Sequence, residues 1–312
     1  MGTKKKRQPK AKVISIFEMI GHFPDEQAAI DYLTLILWPD GPVCPYCNGH
    51  RISERAQKNY YRCKDCLKIF TIRVGTIFHR SHVPLHKWLY AMYLMVTSRK
   101  GISSLQLSKE IGVTQKTAWF LLHRIRTACE DDNGGSLYGI VEADEAYFGG
   151  KESNKHESKK LHAGRGAVGK SIVIGIRERG GKVITKLISS TGAKEIQDIL
   201  AEAVCIYSVV CTDELSSYVG MPERIHKTVN HSAKVFVDGM AHTNGIESVW
   251  AVLKRGFYGI YHSFNVKHLQ RNLNEFMFRF NSGNVKINTL DRIGAMIGMC
   301  AGKRLTFEKL VA

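Results

Sequence analysis

Residues 171–190 read SIVIGIRERGGKVITKLISS. Two runs rich in Val and Ile flank Gly180-Gly181, a pair that suits a tight hairpin turn. The stretch therefore predicts two antiparallel strands. Just upstream, LYGIVEAD (137–144) is a short apolar run that ends in acid. Downstream, AKEIQDILAEAV (193–204) carries its apolar residues at helical spacing. CIYSVVCTD (205–213) is a second apolar run ending in acid. RIHKTVN (224–230) reads as a fifth strand and GIESVWAVLKRGF (245–257) as a helix. With a short helix near Ser216–Pro222 the order becomes βββ-α-β-α-β-α. That order matches an RNase H-like α/β domain built on a mixed central sheet.

In such a sheet the first and fourth strands are neighbours. Asp144 ends the first and Asp213 ends the fourth, so their carboxylates are expected to converge. Glu247, on the helix packed nearby, would complete a cluster of three. Carboxylates so placed repel one another unless a cation lies among them. Two Mg²⁺ or Mn²⁺ ions relieve that repulsion and suit phosphodiester chemistry, activating water or a 3′-hydroxyl and steadying the leaving oxygen. Hard carboxylate oxygens favour Mg²⁺ over zinc here. Neighbouring residues compete for the role. Glu142 shares the strand face of Asp144, whereas Glu145 and Glu214 are expected on the face opposite to their neighbouring aspartates. Asn244 shares the helix face of Glu247 and stays an alternative third ligand, although a carboxylate binds metal more strongly. Lys254, two turns beyond Glu247 on that face, is placed to hold a phosphate.

A chain of 312 residues predicts two or three domains. Its 45 Lys+Arg against 28 Asp+Glu leave a net charge of +17, which favours a polyanionic partner, nucleic acid before anionic membrane. No stretch supplies the roughly 18 consecutive apolar residues of a membrane span. The basic start, MGTKKKRQPKAK, has no long apolar run behind it and is not read as a secretory signal, so a cytoplasmic setting is expected. A disulfide framework is then not expected from the eight cysteines. Cys129, Cys205, Cys211 and Cys300 read as small buried hydrophobes.

The other four cysteines form two pairs, Cys44-Pro-Tyr-Cys47 and Cys63-Lys-Asp-Cys66, separated by 15 residues. Two such knuckles offer four thiolates to one tetrahedral Zn²⁺, whose binding would supply the folding energy of a module this small. Basic residues from Arg51 to Lys68 interleave with Tyr60, Tyr61 and Phe70, a composition suited to nucleic acid. Ahead of the ribbon, DEQAAIDYLTLILW has helical periodicity with Asp25 as its N-cap. After Pro84 comes a long apolar helix, then SSLQLSKEIGVTQKTAWFLLHRIRTAC, which reads as helix, turn at Gly112, and a second helix capped by Thr114. In a helix-turn-helix the second helix enters the major groove. Gln115, Lys116 and Thr117 would face the groove, with Arg124 and Arg126 reaching phosphates.

CPYC…CKDC, the helix-turn-helix, VEADEAYFGG, CTDELSSY, HTNGIESVWAVLKRGFYGIYH and HLQRNLNEFMFRFN resemble, in the same order, the IS1595-type (ISXO2-like) insertion-sequence transposases. The resemblance runs from about Pro24 to Asn281. It implies a DDE-type enzyme of a bacterial mobile element that nicks DNA at the element's ends and joins the freed 3′-hydroxyl to target DNA. Zinc ribbon and helix-turn-helix would recognise terminal inverted repeats, and handling two ends together implies a dimer or larger assembly. A DNA-binding regulator without catalysis, or an RNase H-like nuclease or resolvase, are the alternatives. The expected organisation is a basic tail (1–23), helix plus zinc ribbon (24–80), helix-turn-helix region (81–132), catalytic domain (136–283) and C-terminal tail (284–312). The loop KESNKHESKKLHAGRGAVGK (151–170), with six Lys/Arg against two Glu, is expected to face substrate.

Overall fold

The computed structural model describes residues 11–130, 136–150, 156–160, 169–221, 223–229, 242–262 and 265–312. Two units form, one from residues 1–130 with 282–312 and one from residues 131–281. The first holds helices α1 (Ile16–His22), α2 (Glu26–Leu37), α3 (Leu85–Thr97), α4 (Ser104–Ile111) and α5 (Gln115–Ala128). It also holds strands β1 (Ile52–Glu54), β2 (Tyr61–Cys63) and β3 (Ile69–Phe70). The second runs β4 (Ile140–Phe148), β5 (Ser171–Glu178), β6 (Val183–Ile188), α6 (Ala193–Ala203), β7 (Val209–Thr212), β8 (Ile225–Thr228), α7 (Asn244–Gly256) and α8 (Val266–Phe280). Helices α9 (Thr289–Gly298) and α10 (Phe307–Val311) return to the first unit.

In the first unit, α3 is the centre because its apolar residues cover most of its circumference. Trp88, Leu89, Met92 and Met95 are all buried. Asp25 caps α2 through the Ala28 amide, as expected. Helix α1 lies where the sequence suggested only a basic tail. Its start was written in Ser15-Ile-Phe-Glu18, where Ser15 and Glu18 form a reciprocal capping box. The C-terminal segment is tied into the same unit. Arg292 is buried and donates to the Val96 carbonyl at the end of α3, and Thr76 bridges to Ala301. Helices α4 and α5 are joined by a turn in which Gly112 takes a left-handed conformation (φ +62°), one that side chains resist. Thr114 caps α5 through the Thr117 amide.

The second unit contains a five-stranded sheet in the order β6-β5-β4-β7-β8. β4, β5 and β6 are antiparallel, whereas β7 and β8 run parallel to β4. This is the RNase H-like arrangement that the order of elements predicts. A 3₁₀ turn at Ser216–Tyr218 takes the place of the short helix expected there. One sheet face packs Val141, Ala143, Ile174 and Ile176 against Ile196 and Leu200 of α6 and against Tyr218. The other packs Ala146, Phe148 and Val173 against Ile246, Val249, Trp250 and Leu253 of α7 and Leu273 and Phe276 of α8. At the β6 edge, Asn281 bonds both the amide and the carbonyl of Val183, and Gln270 bonds the Leu187 amide and Thr185 carbonyl.

Asp144 lies opposite Gly175 in the β4–β5 register. A methyl group at Gly175 would collide with the Trp250 ring and the end of Ile246. The missing side chain is therefore what lets α7 lie close enough for Trp250 to reach Asp144. Gly175→Ala should cost about 1–3 kcal/mol through overpacking. A lowered urea midpoint, followed by far-UV circular dichroism with the wild type alongside, is the expected outcome.

Candidate metal centres

The ribbon hairpin β1–β2 and the turn before β3 bring the two cysteine pairs together. All four sulfurs lie within 4.8 Å of one another. Cys44 and Cys66 are 3.5 Å apart, Cys47 and Cys63 3.6 Å. A tetrahedron with Zn–S bonds of about 2.3 Å has edges of about 3.8 Å, so the donor set fits one zinc ion with little movement. Trp38, Tyr61 and Phe70 pack beneath it and account for most of the module's small core.

The second centre forms where β4 and β7 part. Their parallel pairing ends at Glu142↔Cys211. Two residues further on each chain come Asp144 and Asp213, which continue that register on one face. Strand β4 does not end at Asp144, as its sequence suggested, but pairs with β5 as far as Phe148. What ends there is its partnership with β7. Beyond that point Glu145, although on the other face, is not walled off from the aspartates. Ligand atoms of Asp144, Glu145 and Asp213 all lie within 4.8 Å of one another. Glu145 thus lies on the opposite face as its alternation predicts, yet its carboxylate still reaches the two aspartates. Glu214 is exposed and follows the end of β7.

Each of the three carboxylates is oriented by hydrogen-bond donors from its surroundings. Trp250 Nε1 donates to Asp144 Oδ2 at 3.0 Å. The Leu215 amide donates to Asp213 Oδ1 at 3.1 Å. The buried Tyr218 hydroxyl donates to Glu145 Oε1. Among the described residues none of the three has a Lys, Arg or His ion-pair partner. Burial, then the Asp213 charge, pushes Asp144 up to about 6. Burial pushes Glu145 up to about 7, with the charges of Asp144 and Asp213 adding to it and the Tyr218 hydrogen bond working against it. Three crowded oxygen donors without a counter-charge are what a hard divalent cation fits.

Glu142, by contrast, is neutralised by protein. It bonds Arg179 Nε at 3.0 Å and the Ile246 amide at 2.9 Å, with His242 Nδ1 at 3.3 Å. It is a structural carboxylate at the start of α7. Glu247 lies outside the close cluster, exposed on the first turn of α7, and accepts from Thr243 Oγ1 at 2.9 Å. Its charge still adds to the upward shift of Asp144. Asn244 opens α7 and is exposed, as is Lys254 near its end. Trp250, Tyr218 and Gly175 were not singled out from the sequence. Only the tryptophan, one turn past Glu247 on an apolar helix face, left a signal there.

On α5, Gln115 and Lys116 are exposed and Thr117 is half-buried. Gln115 donates to Ser104 Oγ at 2.9 Å, and Lys116 lies over the Phe307 ring. Arg124 and Arg126, expected to reach phosphates, are buried instead, 3% and 4% exposed. The Arg124 guanidinium packs on the rings of Trp88 and Phe120 and donates to the His79 carbonyl. Burial, then the Arg304 and Arg73 charges, draws its pKa down to about 10. Most of the loop 151–170, including His162, lies outside the described residues. His156 is exposed and bonds Ser158.

Strand order and the carboxylate cluster together define an RNase H-like domain with a candidate divalent-metal centre. Residues 136–281 match the model of the ISXO2-like transposase domain, and residues 24–68 that of the transposase zinc-ribbon domain. A protein of the transposable element ISH50 of Halobacterium salinarum, itself uncharacterised, is 30% identical over 250 residues, covering 75% of this chain and 83% of the relative. The chain belongs to the IS1595 (ISXO2-like) transposase family. Among solved structures, a Mos1 transposase paired-end complex with the left transposon end matches 61% of this chain and 70% of its own, at 12% identity and TM-score 0.27. A pre-cleavage Mos1 transpososome matches 69% and 79%, at 12% identity and TM-score 0.28. The fold assignment rests on strand order, not on these two.

Two outcomes are expected of the centres. Cys63→Ser should lower bound zinc from about one ion per chain to near none, read by metal analysis after dialysis. Without a divalent ion at the centre, Asp144 and Glu145 hold protons in the folded chain up to about pH 6 and 7, above their ordinary values of 3.8 and 4.5. Raised folded pKa values stabilise at low pH, and that stabilisation is lost as pH rises through them. The Tm of the zinc-loaded protein in Mg²⁺-free buffer should therefore fall between about pH 4 and 7, less steeply in Asp144→Asn, and added Mg²⁺ should restore part of it at pH 7.

Proposed function

We propose that this protein is a DDE-type transposase that binds terminal inverted repeats and carries out metal-dependent DNA cleavage and strand transfer. The observation that carries the reading is the uncompensated carboxylate cluster, on an RNase H-like sheet, in a member of a transposase family. Asp144 and Asp213 hold the metals, with Glu247 as a further ligand from α7 and Asn244 as the alternative. Bound Mg²⁺ or Mn²⁺ supplies positive charge that activates the attacking hydroxyl and neutralises the leaving oxygen.

The chain's own groups set the stage for that chemistry. Trp250 and the Leu215 amide fix the carboxylate planes of the two aspartates, limiting reorganisation when DNA arrives. Lys254, on the exposed face of α7, holds a phosphate of the bound strand. In cleavage, water attacks the phosphorus and the 3′-oxygen leaves. In joining, that 3′-hydroxyl attacks a target phosphodiester and a target 3′-oxygen leaves. The four cysteines hold a structural zinc, and the ribbon and the α4–α5 pair grip the ends. Gln115, Lys116 and Thr117 are the residues offered to bases. Two ends are handled by two or more copies of the chain.

The test is a joining assay with labelled end DNA, a target plasmid and Mg²⁺. Wild type should give joined product. Asp144→Ala should bind end DNA within about twofold of wild type and lose joining by a factor on the order of 10³ or more, as expected when a centre's charge stabilisation is removed. Undiminished joining by that variant would rule the assignment out. Cleavage of branched or hybrid substrates without joining would identify a nuclease or resolvase instead.

A further inference from the structure

We infer that Glu145 is a further carboxylate ligand of the Asp144–Asp213 metal centre and that Tyr218 is its positioning residue. The inference rests on the reading of those two aspartates as metal ligands and extends it to a residue on the opposite strand face.

Three observations carry it. Alternation places Glu145 on the α6 side of the sheet, yet its carboxylate lies within 4.8 Å of the donor atoms of Asp144 and Asp213. This is possible because β7 has no residue paired to β4 beyond Glu142. Next, Glu145 is treated like the two aspartates. Each has a carboxylate oxygen held by a protein donor, Trp250 for Asp144, Leu215 for Asp213 and Tyr218 for Glu145, and among the described residues none has a Lys, Arg or His ion-pair partner. Glu142, two positions from Asp144, shows the alternative, since it is satisfied by Arg179 and a helix amide.

The setting of Tyr218 supplies the third observation. Its ring is fully buried among Ile196, Leu200 and Val210, and its hydroxyl meets Glu145 at the edge of that core. A phenylalanine would fill the same space without polar cost. The hydroxyl is therefore of use for what it holds. The 3₁₀ turn at Ser216–Tyr218 follows Asp213 directly, so one short segment orients two carboxylates, Asp213 through Leu215 and Glu145 through Tyr218. Positioning donors of this kind typically change metal affinity about 10–100-fold when lost.

The test is Mn²⁺ binding by full-length protein, free Mn²⁺ being read by electron paramagnetic resonance without DNA present. Glu145→Gln keeps an oxygen that can accept from Tyr218 but removes the charge. It should weaken Mn²⁺ binding about tenfold or more, with unchanged circular dichroism and a Tm in Mn²⁺-free buffer at pH 7 no lower than that of the wild type. Tyr218→Phe should weaken binding by roughly tenfold, and the double variant should bind no worse than Glu145→Gln alone. If Asp144→Asn loses Mn²⁺ while Glu145→Gln binds as wild type does, Glu145 serves only to satisfy the tyrosine and the inference fails while the parent reading stands. If both variants bind as wild type does, the parent reading fails with it. Should Glu145→Gln not fold, wild-type affinity in a folded Tyr218→Phe protein would overturn the positioning role.

Discussion

The buried carboxylate of Glu142 holds the start of α7 against the sheet, and the geometry of the acidic centre depends on it. The first amides of a helix have no partner within it, and the helix end carries partial positive charge. Thr243, at the cap position, makes no side-chain cap to those amides. Glu142 reaches across from β4 to the Ile246 amide instead. Gly245 makes the approach possible, since a Cβ there would strike the carboxylate. Arg179 balances the charge from the other side. With its first turn pinned in this way, α7 can place Trp250 over Gly175 and against Asp144, and it carries Glu247 and Lys254 at fixed heights above the sheet.

Two kinds of acid thus stand side by side on one strand, one buried and the other half-buried. Glu142 has its charge matched by protein and is finished as a structural element. Asp144 and Glu145 have donors enough to be oriented but too few to be comfortable as anions, and burial raises both. The difference is the ion pair with Arg179, which Glu142 has and which is not seen at the cluster among the described residues. The ribbon solves its crowding of donors in another way, with soft sulfur atoms at tetrahedral separations. One chain therefore presents two donor sets of different hardness, sulfur in one and carboxylate oxygen in the other.

Much of this was legible in the sequence, and the exceptions have physical causes. The Gly180-Gly181 turn and the apolar runs give the strand order because strand periodicity and hairpin chemistry are local. The cysteine spacing gives the ribbon for the same reason. Asp144 and Asp213 could be paired because the topology makes their strands neighbours. Glu145 could not be included, since strand alternation alone puts it on the wrong side. Its admission depends on where β7 stops, which is a tertiary fact. Arg124 and Arg126 looked like surface cations on an amphipathic helix. The burial of Arg124 depends on Trp88 and Phe120, which offer ring faces that no local pattern announces. The C-terminal tail was undecided for a like reason, because its anchors, among them the buried guanidinium of Arg292 against the end of a helix almost 200 residues earlier, are long-range contacts.

The side chains of Gln270 and Asn281 have a consequence for how the sheet meets other chains. An outer strand exposes a ladder of amides and carbonyls that invites another strand. Along β6 that ladder is already taken at Val183, Thr185 and Leu187 by two amide side chains of one helix and its end. Carboxamides imitate the peptide group they replace, so the strand is sealed by a mimic of its own neighbour. The sheet is therefore closed to growth on that flank. A crowded population of these molecules has one fewer route to amyloid-like aggregation, secured by side chains of a neighbouring helix and without a proline on the strand itself.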